Sequence, residues 1–260
     1  MSIELTCLGG AAAWPNPGQG CSSFLVRSGQ TTILLDAGPN TLLELRKHVD
    51  FHAVDAIVIS HCHSDHILDL IPYRYGLVYG PAQPAKRIPV WLPPGGMTVL
   101  HNIARALSGQ GENTEGFWDG VFILNEYDPD IRLEVSSVGL RFTRTAHPAV
   151  CYAMRIESVG GKTLTYTADT GTIESVLDLA RGSDILISEA TMPEDHEHPG
   201  TESGHLKPSE AGILASEASV GALVLSHLWS ERPDTEVLEA AGRSFSGKTV
   251  IAKPGLVVDA

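Results

Sequence analysis

The sequence predicts an α/β fold, with one domain spanning residues 1–260 and built as a four-layer sandwich: two sheets packed face to face, with helices outside. Three observations carry this expectation. Short β-like runs alternate with Gly-rich turns through the first third of the chain. Strand-like and helix-like runs alternate after that, in a similar order in the second half, with no long linker or low-complexity tract between. The length of 260 residues and the hydrophobic fraction of 43% suffice to bury a sizeable core.

The elements follow in order. Ile3 to Leu8 reads as a strand and is followed by the loop GGAAAWPNPGQG. Ser22 to Arg27 and Thr31 to Gly38 form a hairpin across Ser28-Gly29-Gln30. Thr41 to His48 has helical spacing, and the β-branched run Val54 to Ser60 is a buried strand. Arg87 to Pro93 is a strand and Met97 to Leu107 an amphipathic helix. Val138 to His147 and Tyr152 to Ser158 pair as strands, and Lys162 to Thr170 follows a turn at Gly160-Gly161. Ile173 to Ala180 is a helix and Asp184 to Thr191 a strand. Pro208 opens a helix running to Ala218, since proline suits a first helical turn. Ala222 to Leu228 is a last buried strand.

Composition narrows the functional classes. Lys and Arg number 18 against 31 Asp and Glu, a net charge of -13. Gripping a nucleic-acid backbone requires clustered cations to displace counterions, so an extended nucleic-acid partner is disfavoured. The N-terminal MSIELTCLGG lacks the basic and apolar regions of a signal peptide, and no apolar run is long enough to span a membrane. A soluble, cytoplasmic protein with no membrane partner is expected. Cys7, Cys21, Cys62 and Cys151 form no CxxC pair and read as reduced thiols.

The chemistry starts at HCHSDH, residues 61 to 66, directly after the apolar run ending at Ile59. In an extended stretch successive side chains alternate sides, so His61 and His63 project together and Cys62 points away. Asp65 and His66 come after a turn. Imidazole and carboxylate together suit zinc or a similar first-row ion, and the spacing suggests two ions, one at each pair. Further candidates recur where apolar strands run out: His147 in RTAHPAV, Asp169 in LTYTADTG and His227 in LVLSHLW. Such strand ends are where α/β sheets assemble sites.

This series, His61-x-His63-x-Asp65-His66 followed by His147, Asp169 and His227, resembles the metallo-β-lactamase superfamily of dinuclear metal hydrolases, whose fold is the αββα sandwich. The resemblance implies that His61, His63 and His147 hold one metal. It implies that Asp65, His66 and His227 hold the second and that Asp169 bridges them. Asp36, in LLDAG, corresponds to an early Asp that supports the site without being a ligand. The cofactors would be two divalent ions, zinc first, with manganese or iron also compatible. Two such ions can share a hydroxide of lowered pKa, which attacks the substrate. No GxSxG suggests a serine nucleophile.

Two more segments resemble ribonuclease Z and its relatives: SEAT, Ser188 to Thr191, and GHLKPSEA, Gly204 to Ala211. By that resemblance Asp65, Glu189 and His205 form the catalytic set, with His205 protonating the leaving oxygen and Glu189 orienting it. Ribonuclease Z carries a long tRNA-clamping arm between the counterparts of His147 and Asp169, yet here Asp169 follows His147 by only 22 positions. The chain therefore resembles a short, arm-less phosphodiesterase branch, and a small phosphodiester such as a cyclic nucleotide is the expected substrate. The alternatives are tRNA 3′ processing of the ribonuclease Z type, a lactone or thioester hydrolase of the same superfamily, and a metal-binding protein without catalysis. Trp14 can overhang the site and stack on a base or, equally, pack on the sheet edge. Arg74 can pair with a phosphate or pack on a helix surface. The cluster Glu194, Asp195, His196, Glu197, His198 reads first as a solvated loop, the alternatives being a lining of the active-site mouth or a site for an extra ion. The apolar segment Gly116 to Leu124 and the branch resemblance point to a homodimer.

Overall fold

Strands that are apolar at every position must be covered on both faces. The computed structural model describes residues 2–82, 85–108, 116–196 and 204–260, and in it most of the expected strands are covered in this way. Among the described residues the first sheet contains β1 (Glu4–Ala11), β2 (Gly20–Cys21), β3 (Ser23–Ser28), β4 (Thr31–Leu35), β5 (Ala56–Val58), β6 (Ile88–Leu92), β7 (Phe122–Glu126) and β15 (Val257–Asp259). The second contains β8 (Leu133–Val135), β9 (Val138–Arg144), β10 (Tyr152–Ser158), β11 (Thr163–Tyr166), β12 (Ile185–Glu189), β13 (Ala222–Ser226) and β14 (Lys248–Ile251). The helices are α1 (Thr41–Leu45), α2 (Ser64–Ile67), α3 (Leu70–Tyr79), α4 (Gly96–Leu107), α5 (Gly116–Asp119), α6 (Glu174–Ala180), α7 (Pro208–Glu217) and α8 (Asp234–Gly242).

The strand order is β15-β1-β3-β4-β5-β6-β7 in one sheet, with β2 beside β1, and β14-β13-β12-β11-β10-β9-β8 in the other. In each sheet an antiparallel half passes into a parallel one: β4 to β7 run parallel, as do β11 to β14. The predicted hairpin is present, with Ser28 opposite Thr31 and Gly29 at φ +60°. A two-residue hairpin loop needs that left-handed geometry, which glycine adopts without strain.

Period-two alternation builds the layers. Phe24, Val26, Ile33, Leu35, Ala56 and Val58 face the second sheet and pack with Leu140, Met154, Ile156, Leu164, Ile187 and Val224. Leu25, Leu34 and Ile57, one residue out of phase, pack outward on Leu45, Tyr73, Leu77 and Leu100 of the helices. Leu186, Leu223 and Leu225 do the same on the other side, against Ala211, Ala215, Val237 and Ala241. Three apolar layers between four structural layers make this the αββα sandwich.

Some details differ from expectation. The strands stop short of the polar residues at their ends: β5 ends at Val58, β9 at Arg144, β11 at Tyr166 and β13 at Ser226. The residues beyond bend out of the sheets. Helices α3 and α8 and strands β7, β8, β14 and β15 were not anticipated, and β8, β14 and β15 are short edge or near-edge strands with partly exposed residues. The apolar segment from Gly116 is spent inside the fold, since Phe117, Trp118, Val121 and Phe122 are buried in the core under the first sheet. The homodimer expectation therefore rests on resemblance alone. Among the described residues no helix is long and apolar enough to cross a membrane.

Candidate metal centre

The bent strand ends converge on one point. His61 follows β5, His63 caps the start of α2 with extended backbone, and Asp65 and His66 lie on that helix. His147 sits in the β9–β10 connection, Asp169 beyond β11 and His227 directly after β13. Ala13, Asp36, Ala168 and His227 all adopt left-handed φ between +52° and +58°. Such strained backbone concentrates where a fold must aim a side chain, and all four residues border this point.

The candidate donor atoms meet in two groups. His63 Nδ1 lies 3.1 Å from His61 Nε2 and 3.2 Å from His147 Nε2. Asp65 Oδ2 lies 3.1 Å from His227 Nε2 and 3.5 Å from His66 Nε2. Asp169 stands between the groups. Its Oδ2 is 3.5 Å from His61 Nε2, and its Oδ1 is 3.4 Å from His66 Nε2 and 3.6 Å from His227 Nε2. The sequence-selected residues thus come together as His61, His63, His147 and Asp169 on one side and Asp65, His66 and His227 on the other. One further triad, Asp169, His205 and His227, brings His205 to the same place.

Four of the five rings are held from behind. Asp36 is fully buried and accepts from Ser60 N at 2.7 Å, Ser60 Oγ at 2.8 Å, His66 Nδ1 at 2.7 Å and Tyr166 Oη at 2.9 Å. Ser60 Oγ in turn lies 3.0 Å from His61 Nδ1. His147 Nδ1 donates to the Gly204 carbonyl at 3.0 Å, and His227 Nδ1 lies 2.6 Å from Thr191 Oγ1. With Nδ1 engaged on these four rings, Nε2 is left to face the centre, whereas His63 presents Nδ1, and either nitrogen can bind a metal. Gly38 makes the approach possible: a Cβ there would stand 1.9 Å from the Asp65 carbonyl oxygen.

These residues fit divalent metal. His66 Nε2 and Asp169 Oδ1 are buried with no hydrogen-bond partner among the described residues, although they face each other. Leaving such atoms unsatisfied costs about 1–3 kcal/mol each, so they call for a ligand. Three imidazole nitrogens around His63 cannot all share one proton, and their lone pairs suit a cation. The electrostatics agree. Burial and neighbouring imidazoles push His61 well below its ordinary value, leaving it neutral and able to ligate. For His66 burial opposes the charge, but the Asp169 and Asp36 carboxylates outweigh it and raise the imidazole. Burial likewise works against charge on Asp169, yet His227, His66 and His61 hold the carboxyl far below the usual range. This demand for positive charge is one a divalent cation meets.

Beside the cluster, His205 Nδ1 lies 2.9 Å from Glu189 Oε1, and Glu189 is buried at the end of β12. Burial alone would lower His205, but the Glu189 carboxylate raises it to about 9. Its ring centre is 5.0 Å from that of His147 and 5.4 Å from that of His227. Thr191 Oγ1 lies 2.9 Å from Glu189 Oε2 as well as beside His227, and so joins the pair to the ligand cluster.

The other expectations divide. Trp14 stands at the rim, half exposed, stacked on Trp229 with ring centres 5.6 Å apart. Arg74 is taken up by packing: its Nε donates to the Phe117 carbonyl and its guanidinium lies 3.8 Å from the Phe117 ring centre. Glu194 Oε1 accepts from Ser209 N at 2.9 Å, at the start of α7. Glu197 and His198 lie outside the described residues. Sequence reasoning missed Ser60, Tyr166, Thr191 as a link, and Trp229. Adjacency was the available signal for Ser60 and Trp229, which stand one and two positions from His61 and His227.

Comparison with known proteins follows the same line. A family model described as a beta-lactamase superfamily domain matches residues 31–228. The chain is 32% identical over 259 residues to the probable metallo-hydrolase YhfI of Bacillus subtilis (strain 168), covering 98% of this chain and 99% of that protein. The crystal structure of YhfI superposes with a TM-score of 0.86 at 29% identity, over 100% of both chains. A ribonuclease Z of Halobacterium salinarum is 24% identical over 302 residues, covering 98% of this chain and 97% of that one. The human short-form tRNase Z shares the fold, with a TM-score of 0.76 at 18% identity over 98% of each chain. By these matches, and by the cluster of His and Asp side chains able to hold metal that its strand ends assemble, the chain belongs to the metallo-β-lactamase superfamily as a metal-dependent hydrolase.

Proposed function

We propose that the protein is a dinuclear metal-dependent phosphodiesterase acting on a small phosphodiester. The observation that carries this reading is the Glu189–His205 pair beside the ligand cluster. A phosphodiester expels an alkoxide, which leaves poorly unless it is protonated, and a charged imidazole next to the reacting phosphorus supplies that proton. An activated ester or lactone needs such a donor less.

His61, His63 and His147 would hold one ion, Asp65, His66 and His227 the other, and Asp169, with one oxygen toward each group, would serve both. When bound, such ions supply Lewis acidity at phosphoryl oxygens and acidify water into a nucleophile near neutral pH. The chain's own residues do the remainder. Asp36 and Ser60 fix the rings of His61 and His66. Glu189 keeps the proton of His205 at Nδ1 and so orients the ring, whose Nε2 would donate to the leaving oxygen.

A small substrate is favoured by what fills the space between His147 and Asp169: strands β10 and β11, joined by a turn at Gly161, with no inserted arm. The nearby cations are also spent on the chain itself. Arg232 donates to the carbonyls of Ala190, Thr191 and Met192, and Lys207 to those of Glu194 and His196.

The test is His205→Ala assayed on aryl phosphodiesters of graded leaving-group pKa, with metal content measured in parallel. The metal is expected to stay and turnover to fall by roughly 10²–10⁴-fold, more for poor leaving groups than for good ones. Equal slowing across the series would remove His205 from the donor role, and loss of metal would make it a ligand.

A further inference from the structure

Two indoles that take no part in the chemistry described so far stand at the rim of the ligand cluster. Ala13 donates its backbone N–H to Asp65 Oδ2 at 2.9 Å, and Trp14 is the next residue. Trp229 comes two residues after His227. Ala13 and His227 both have left-handed backbone, φ +58° and +57°, and the two chain segments turn out of the site at these points. The indoles meet there in a near-parallel stack, 5.6 Å between centres and 11° between planes.

The stack is braced. Leu228 N donates to the Gly10 carbonyl at 2.9 Å, Asn16 Nδ2 to the Leu228 carbonyl at 2.9 Å, and Ser230 N to Asn16 Oδ1 at 3.1 Å. Gln19 ties the same loop to the Ala252 carbonyl at 2.7 Å. Trp14 nevertheless keeps 50% of its surface exposed. A chain that fixes a large indole so firmly, one residue from a ligand contact, and leaves half of it in water presents a preorganised surface for a flat apolar group.

We propose that the Trp14–Trp229 stack is a base-binding subsite: a nucleobase on the substrate lies against the exposed surface of Trp14 while its phosphodiester reaches the ligand cluster. This rests on the phosphodiesterase reading and narrows it to nucleotide diesters. The recognition chemistry is stacking, because every base offers a π-face and the neighbouring cations Arg232 and Lys207 are engaged with backbone carbonyls. Such a subsite accepts different bases and discriminates against diesters that carry none.

The experiment compares the wild-type protein, Trp14→Ala and Trp14→Phe in metal-loaded form. The substrates are a nucleoside 2′,3′-cyclic phosphate and glycerol 1,2-cyclic phosphate, which share the reacting ring and differ in the base. In Trp14→Ala the ratio of kcat/KM for the base-bearing over the base-free diester is expected to fall about tenfold or more, with Trp14→Phe restoring most of it. A ratio unchanged within about twofold would overturn the subsite while leaving the phosphodiesterase intact. A second readout needs no turnover: intrinsic fluorescence titrated with adenosine 5′-monophosphate and with ribose 5-phosphate. The nucleotide should bind the wild-type protein about tenfold or more tightly than the sugar phosphate, and Trp14→Ala should erase the difference. Equal affinity for both ligands, or a preference that survives in Trp14→Ala, would overturn the proposal even if no diester is cleaved and the phosphodiesterase reading has failed.

Discussion

Gly38 has no space for a side chain: a Cβ there would press against the Asp65 carbonyl, and a second contact with Cys21 Cβ would be 2.8 Å. Gly38→Ala must therefore push α2 away from the first sheet and carry Asp65 and His66 with it. The expected cost is about 1–3 kcal/mol of stability, visible as a lower urea midpoint, together with weaker metal binding by titration. A variant as stable as the wild type would show that the two backbones can part at no cost. At this scale the sequence was legible where chemistry is contiguous. HCHSDH declares itself because few other reasons exist to crowd such side chains at a strand end. Tyr166 and Thr191 were not legible as supports, since a hydroxyl acquires that meaning only from its contact with Asp36, 130 positions away, or with His227.

Elements place these residues. The parallel strands β5, β11, β12 and β13 deliver their polar ends to one edge because βα connections leave the opposite ends for the return. Their apolar runs made them readable, and α8, β14 and β15 went unread because short, partly exposed edge elements have no such pattern. The entry to β12 offers a test. Asp184 accepts from Lys162 Nζ at 2.7 Å, Thr163 N at 2.9 Å and Thr163 Oγ1 at 3.2 Å, tying β12 to β11. Slight burial works against its charge, but Lys162 and Thr163 hold the carboxyl below its ordinary value. A carboxylate lowered in the folded state contributes stability above its unfolded pKa of about 3.9 and loses it as pH falls through the folded value. Asp184→Asn should therefore cost about 0.5–1 kcal/mol at pH 7, and the deficit should vanish in melts run progressively below pH 4. A deficit that persists in acid would assign the effect to geometry instead of charge.

At the scale of the molecule, two sheets close over an inter-sheet core and bring their ligand-bearing edges together, which no single segment can do. Metal should therefore bind the folded chain far better than the unfolded one. At a free concentration of about 100 times Kd the gain is about 2.7 kcal/mol, or roughly 5–10 °C in Tm for a chain of this size. Chelation should remove that gain, and equal melting of stripped and loaded protein would mean that the orphaned His66 and Asp169 atoms are satisfied without an ion. The net charge of -13 accords with the proposed small substrate, since gripping a nucleic-acid backbone requires clustered cations. The most direct measurement of the central claim is kcat/KM for a chromogenic bis-aryl phosphodiester beside a chromogenic lactone, with metal-loaded and chelator-treated protein. Selective cleavage of the phosphodiester, abolished by the chelator, is the expected result. Selective cleavage of the lactone would leave the fold and the metal centre standing and contradict the role given to Glu189 and His205.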